Sequence, residues 1–252
     1  MNAIMAMGVK DPVALCDVDV IIPVLDEVTA LPLLWQQLQA LPCASRCHFT
    51  FVDNGSQDGS LTFLKSLDGI SLIEHDSNQG YGGSLLSGFR HSNRPFLVVI
   101  DADGEYPPAV IPSLLLALDT QSVVYASRLL GKQGHREAGM PFLKWLGNRC
   151  ISSLFNGLFR QQCTDLYTGC KAFRRSVMEG ISFQRSGFEH VLEFSVAISN
   201  KKISITEVPI DFSPRVGGRS KMSHLVEVTK FIYWLLYFRC AVWCSGESRA
   251  DA

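Results

Sequence analysis

Phe96-Leu97-Val98-Val99-Ile100-Asp101-Ala102-Asp103-Gly104 is the stretch whose reading decides the fold. The apolar run Phe96 to Ile100, rich in β-branched side chains, predicts a strand buried on both faces. Gly104 and the pair Pro107-Pro108 end it. Asp101 and Asp103 then stand at the carboxyl end of a central strand, where open α/β sheets place their ligands. On a regular strand, residues at this spacing share one face. Hard oxygen ligands of this kind suit Mg²⁺ or Mn²⁺ held together with substrate phosphates. Taken alone, the triplet fits an ordinary Asp-Gly turn equally well.

Working outward, strands and helices alternate. Strands are predicted over Asp19–Pro23, Phe49–Asp53, Ile70–Glu74, Phe96–Asp101 and Ser122–Ala126. Helices are predicted between them, over Glu27–Leu41, Asp58–Leu67, Gly82–Arg90 and Pro108–Leu118. This order predicts an α/β protein with a mostly parallel central sheet and helices on both faces. The second half differs. Pro141–Phe159 reads as a helix with Phe142, Leu146, Cys150, Leu154 and Leu158 near period four, and Phe188–Ser199 as another. Ile203–Phe212 is extended and broken by Pro209, and Lys221–Cys244 reads as a long helix. Its stretch Phe231–Phe238 is apolar nearly all round. Such a helix packs in a core or an oligomer, or lies in a membrane interface, where Trp and Tyr suit the headgroup boundary. The expected organisation is an extension over 1–17, a catalytic domain over 18–222, the apolar helix over 223–244 and a polar tail over 245–252.

With 252 residues the chain is long enough for one large domain with a full core. A formal net charge of -1 gives no broad basic surface, so nucleic acid is not an expected partner. Met1 to Lys10 lacks the order of a signal peptide, and no apolar run approaches the roughly 20 residues of a spanning helix. The expected location is cytoplasmic, with peripheral contact at the cytoplasmic membrane face open through residues 225–244. Cys43 and Cys47, and Cys240 and Cys244, are spaced by four, and there is no Cys-x-x-Cys pair. Neither zinc ligation nor a disulfide framework is indicated, and the thiols read as reduced.

The first two strands also end in polar clusters, Pro23-Val24-Leu25-Asp26-Glu27 and Val52-Asp53-Asn54-Gly55-Ser56-Gln57-Asp58-Gly59. Ser56 or Asp58 fits a helix cap, but capping does not explain the whole set. Glu27, Asp53, Asp101 and Asp103 on one sheet edge make an acidic crevice, unfavourable unless it meets a cation or a polar ligand. The segment Asn78-Gln79-Gly80-Tyr81-Gly82-Gly83 is glycine-rich and opens a helix. It is not a dinucleotide fingerprint, because Leu85 stands where the third glycine belongs, and no P-loop sequence is present.

Taken in order, these motifs resemble the nucleotide-sugar half of the family-2 inverting glycosyltransferases. Asp165-Leu166-Tyr167-Thr168-Gly169-Cys170-Lys171-Ala172-Phe173-Arg174 is similar to a later segment of that family. Glu207-Val208-Pro209-Ile210 and Arg215-Val216-Gly217-Gly218-Arg219-Ser220-Lys221 resemble the closing motif of its dolichyl- and polyprenyl-phosphate mannose and glucose synthases. The matches run from about Asp19 to Lys221.

The resemblance implies a GT-A fold and a role for each matching position. Pro23, Leu25, Glu27, Asp53, Gly55 and Ser56 would hold the base and ribose of a nucleoside diphosphate sugar, with Gly80 and Gly83 close by. Asp101 and Ala102 would lie near the sugar and ribose. Asp103, with Asp101, would ligate Mg²⁺ or Mn²⁺ on the diphosphate. Arg128 would contact phosphate, and Arg215, Ser220 and Lys221 would close on the diphosphate or the acceptor phosphate. The sequence departs from the family at Asn54, where a second Asp is frequent. It departs again at Leu25-Asp26, in place of a Tyr-Asn pair, and at Gly104-Glu105, in place of Leu-Gln.

The implied reaction is direct displacement at the anomeric carbon with inversion, moving a hexose to a polyprenyl or dolichyl phosphate. A lipid phosphate is already an anion and needs no strong base. A saccharide or small-molecule hydroxyl would need one, for which Asp165, Glu189 and Glu193 are candidates. A non-catalytic sugar-nucleotide-binding subunit is the reading from a different class, and the intact Asp101/Asp103 and Arg215/Lys221 weigh against it. Nucleotidyl transfer would need a glycine-rich loop ending in a basic residue after the first strand, where Pro23 to Glu27 stands.

Overall fold

A computed structural model describes residues 18–216 and 224–247. The extension over 1–17 lies outside the described residues, as do Ser220, Lys221 and the tail from 248 onward. The strands are β1 (Val18–Val24), β2 (Cys47–Asp53), β3 (Ser71–Glu74), β4 (Phe96–Ile100), β5 (Val123–Ser127), β6 (Cys170–Arg174) and β7 (Thr206–Pro209). They form one seven-stranded sheet in the order β3-β2-β1-β4-β6-β5-β7. All neighbours are parallel except β6, which runs antiparallel to both β4 and β5. The mostly parallel α/β expectation therefore holds, with one reversed strand inserted near the centre.

The helices are α1 (Leu31–Gln39), α2 (Ser60–Lys65), α3 (Tyr81–His91), α4 (Ile111–Ala117), α5 (Phe142–Phe159), α6 (His190–Asn200) and α7 (His224–Glu247). α1 starts later than expected. Glu27 to Ala30 instead form a turn in which Glu27 O accepts from Ala30 N and Leu31 N, and Pro32 sets the first helical turn. Alternation along the strands divides the core into two layers. Val20, Ile22, Phe51, Val98 and Ile100 pack with Leu31, Leu34 and Leu38 of α1 and Ile111 and Leu114 of α4. Ile21, Val52, Leu97, Val99 and Phe173 face Leu85 of α3, Phe155 of α5, Leu192 of α6 and Phe231 of α7.

Two helices depart from their expected faces. Of the expected stripe on α5 only Leu154 and Leu158 pack against the core, and the buried apolar residues of the helix are Ile151 and Phe155, one position further along. At its start Phe142 is 51% exposed, Leu143 64% and Leu146 40%. On α7, Phe231 and Leu235 are buried while Ile232, Tyr233, Leu236 and Tyr237 are exposed. One face of α7 packs in the core and another apolar face stays uncovered. Among the described residues no helix is long and apolar enough to cross a membrane.

Candidate active site

Because β6 runs opposite to its neighbours, its first residues lie at the same sheet edge as the last residues of β1, β2 and β4. Chain segments from both halves of the sequence therefore meet around one cavity of about 340 Å³, a size typical of small-ligand sites. β4 stops at Ile100, so the Asp101–Asp103 triplet lies in the turn beyond the strand. Both aspartates still line the cavity, through the turn and not through strand alternation. Asp101 N donates to Gly169 O at 3.2 Å, and Asp101 Oδ1 accepts from the Tyr81 hydroxyl at 2.8 Å. Gly169 has no alternative here, since a Cβ would run into the Asp101 carboxylate. Tyr81 is itself stacked on Phe188, with ring centroids 5.3 Å apart.

Asp103 is buried. Its Oδ1 accepts from Glu105 N at 2.9 Å and its Oδ2 from Arg215 Nη2 at 2.7 Å. The same guanidinium donates through Nη1 to Glu27 Oε1 at 2.9 Å, so Arg215 ties the end of β1 to the aspartate turn. Burial, and then the charge of Asp103, push the Asp101 carboxyl up to about 7. Burial and Glu105 push Asp103 up as well, against the pull of Arg215. This crowding of buried carboxylates is what a bound divalent cation relieves, and the donor set is the hard oxygen type that Mg²⁺ and Mn²⁺ take.

At the end of β2, Asp53 is 1% exposed. Its Oδ2 accepts from Gly55 N (3.2 Å) and Ser56 N (3.1 Å), whereas its buried Oδ1 has no hydrogen-bond partner among the described residues. A buried acceptor left unmatched costs about 1–3 kcal/mol, and a ligand N–H or hydroxyl would satisfy it. Ser56 does not cap α2. Its Oγ accepts from Asp26 N, while Asp58 accepts from Ser60 N and Val28 N. Pro23, Leu25, Glu27, Gly80 and Ala102 line the cavity. Gly83 stands behind it, donating through N to Ser186 O at 2.9 Å.

Arg128 follows β5 and lines the cavity too, but its guanidinium is fully engaged. Nε and Nη2 donate to the two oxygens of Asp165, Nη1 donates to Glu105 Oε2 at 3.0 Å, and the group lies over the Tyr106 ring. Lys144 of α5 donates to both Glu105 oxygens at 2.7 Å. Asp165 is buried completely, with both oxygens on Arg128, so it has no reach to an acceptor hydroxyl. Glu193 accepts from Gln184 N and Arg185 N, which makes it a loop anchor.

The glycosyl transferase family 2 model matches residues 19–182, most of the chain and all of the elements just described except the last helices and β7. The chain belongs to glycosyl transferase family 2. Among its relatives, an undecaprenyl-phosphate mannosyltransferase of Micrococcus luteus is 30% identical over 218 residues, covering 81% of this chain and 86% of that protein. A polyprenol monophosphomannose synthase of Mycolicibacterium smegmatis is 30% identical over 217 residues, covering 81% and 80%. Glucosyl-3-phosphoglycerate synthase from Mycobacterium tuberculosis, solved with Mn²⁺, UDP and glucosyl-3-phosphoglycerate, superposes with a TM-score of 0.68. It is 16% identical, and the match covers 89% of this chain and 80% of that one. That likeness gives this family-2 protein the GT-A fold.

Of the residues expected in the site, Pro23, Leu25, Glu27, Gly80, Asp101, Ala102, Asp103, Arg128 and Arg215 meet around the cavity of the family-2 fold, whereas Asp53, Gly55, Ser56, Gly83 and Asp165 do not line it. Ser220 and Lys221 lie outside the described residues. Sequence reasoning missed Glu105, Lys144 and Asn148, all of which line the cavity. Lys144 and Asn148 carried a signal, since they are polar residues one turn apart inside an otherwise apolar helix start.

Proposed function

We propose that this family-2 glycosyltransferase moves a hexose, with inversion, from a nucleoside diphosphate sugar to a polyprenyl or dolichyl phosphate. The observation that carries the reading is the pair of a half-buried Asp101 and a buried Asp103 at the carboxyl edge of the sheet, with Arg215 drawn onto Asp103. The Pro23 to Glu27 loop, whose Pro23, Val24, Leu25 and Glu27 line the cavity, would receive the nucleoside; Asp53 stands behind that lining and would contribute only through its buried, unmatched oxygen. Asp103 and Asp101 would hold Mg²⁺ or Mn²⁺, which supplies charge neutralisation for the diphosphate. Arg215, with Ser220 and Lys221 beyond the described residues, would stabilise the charge that develops on the leaving group.

A phosphate acceptor fits the remaining lining. Lys144 and Asn148 place a cation and an amide in the cavity from the same helix start that exposes Phe142, Leu143 and Leu146. A charged subsite beside an uncovered apolar surface matches an amphiphile with an anionic head and a hydrocarbon tail. α7 exposes Tyr233, Leu236 and Tyr237 as well, and its Phe231 packs on Tyr167 of the cavity wall at 4.2 Å. This supports peripheral contact with the cytoplasmic membrane face. An acceptor phosphate is already a nucleophile, and of the three candidate bases the burial of Asp165 and the anchoring of Glu193 take two out of reach, which supports this acceptor. The relatives named above carry polyprenyl phosphates in their own names, in line with this acceptor.

The test is calorimetric titration of UDP and GDP in Mn²⁺ on wild type and Asp103→Ala, followed by transfer of labelled hexose to polyprenyl phosphate. Metal-dependent binding of one nucleotide that is lost in Asp103→Ala, with product in the lipid phase, is the expected result. A folded wild type that binds neither nucleotide would overturn the reading.

A further inference from the structure

Asn54, the departure from the usual second Asp of the family motif, is buried at the end of β2 and has every hydrogen-bonding capacity of its amide filled. Its Nδ2 donates to Asn78 Oδ1 (3.0 Å) and Gly80 O (3.3 Å). Its Oδ1 accepts from Gln79 N (2.9 Å) and from His75 Nδ1 (2.9 Å). The Gln79 amide can only donate, so it fixes which way the Asn54 side chain faces, and His75 must then carry its proton on Nδ1. The other ring nitrogen of His75 meets Ser87 Oγ of α3 at 2.9 Å. His75 thus spans the gap between the end of β2 and α3, and Asn54 passes that constraint to the turn Asn78–Gly80.

That turn is part of the cavity wall, which Asn54, Asn78 and Gly80 line together with Pro23 and Leu25. It also makes the close approach that lets α3 begin, since a Cβ on Gly80, at φ +83°, would strike Ser186 O. An Asp at position 54 would turn the two donors on Asn78 and Gly80 into acceptors facing acceptors. Asn54, Asn78 and His75 therefore form a matched set. We propose that His75 is a positioning residue for the donor subsite: through Asn54 it holds the Asn78–Gly80 turn in the shape that receives the nucleoside diphosphate.

This rests on the donor reading given above, and the test separates the two. UDP and GDP are titrated in Mn²⁺ into wild type, His75→Ala, His75→Asn, His75→Gln and Asn54→Asp, with a thermal melt of each and steady-state transfer kinetics. Loss of the part-buried hydrogen bonds from His75 to Asn54 and Ser87 weakens nucleotide binding about ten-fold in His75→Ala. Donor KM rises with it, while kcat at saturating donor stays within about two-fold. His75→Asn keeps a donor at the position of Nδ1 and restores binding. His75→Gln keeps only the outer nitrogen and does not. Asn54→Asp binds more weakly than His75→Ala. A wild type that binds neither nucleotide sinks the donor reading and this inference with it. Wild-type binding matched by His75→Ala sinks the inference alone, as does a loss shared equally by His75→Ala and His75→Asn. If His75→Ala does not fold, Ser87→Ala replaces it. That variant frees the ring at its other end and should weaken binding about three-fold, and unchanged binding overturns the role.

Discussion

Arg128 and Asp165 form a bidentate pair, Nε to Oδ2 at 2.7 Å and Nη2 to Oδ1 at 2.9 Å, with side chains 3% and 0% exposed. The pair joins the loop after β5 to the loop before β6, and Glu207 of β7 fixes the second loop by accepting from Thr164 N and Asp165 N. Removing one partner leaves the other charge buried, so Arg128→Ala or Asp165→Ala should each lose about 3–5 kcal/mol in denaturant melts. The double variant Arg128→Met/Asp165→Leu, which buries no lone charge, should lose less than either single change. Additive losses would show that the pair is not the unit of stability.

The carboxyl of Asp101 sits near 7 in the folded chain against 3.8 as a free side chain. Between these values the folded state holds more protons than the unfolded one, so stability must fall as pH rises. Without metal, the melting temperature should therefore drop from about pH 4 to pH 7 and flatten above. Asp101→Asn should remove that slope and melt a few degrees higher, about 2–4 °C, than wild type at pH 7.5. Transfer activity should be lost in the same variant. A wild-type melting curve that is flat over this range would refute the raised carboxyl.

The buried strand Phe96–Ile100 and its polar end could be read directly because the residues that decide them are adjacent. β6 could not. Cys170 to Arg174 carries Lys171 at its second position, and a cation inside a five-residue strand erases the apolar signal. The structure resolves the conflict by laying the Lys171 ammonium 4.9 Å from the Tyr125 ring centre, a residue 46 positions earlier in the chain (171 − 125). Burial lowers this lysine to about 8. A separation of 37 residues hid the partner of Arg128: Asp165 looked like a free carboxylate until the reversed strand brought its loop alongside β5. Motif order located the site, but which charges cancel inside it is decided by tertiary contacts.

Arg215 Nη2 donates to Asp103 Oδ2 and so competes for a carboxylate that would hold a divalent ion. Arg215→Ala should therefore bind Mn²⁺ more tightly than wild type in the absence of nucleotide, as read by calorimetry. It should at the same time lose transfer rate about 10²-fold, because a donor to the developing charge is gone. Arg215→Lys keeps the charge without the fork that bridges Glu27 and Asp103, and should fall between the two. Weaker Mn²⁺ binding in Arg215→Ala would mean that the guanidinium supports the ion and does not compete with it.

The uncovered ridge makes a separate prediction. Among the described side chains of α5 and α7, Leu143 and Tyr233 are the most exposed large apolar residues, at 64% and 60%. Trp234 is a poorer probe of membrane contact, because it is partly buried under the Arg185 guanidinium at 4.2 Å. Burying a leucine in an interface contributes about 1.5–3 kcal/mol, so Leu143→Ser/Tyr233→Ser should reduce liposome co-sedimentation more than ten-fold by the usual conversion. Transfer to polyprenyl phosphate in vesicles should fall with it, while calorimetric binding of the nucleotide stays as in wild type, since neither side chain lines the cavity. Unchanged co-sedimentation with unchanged transfer would show that the lipid phosphate reaches Lys144 without the protein touching the bilayer through this ridge.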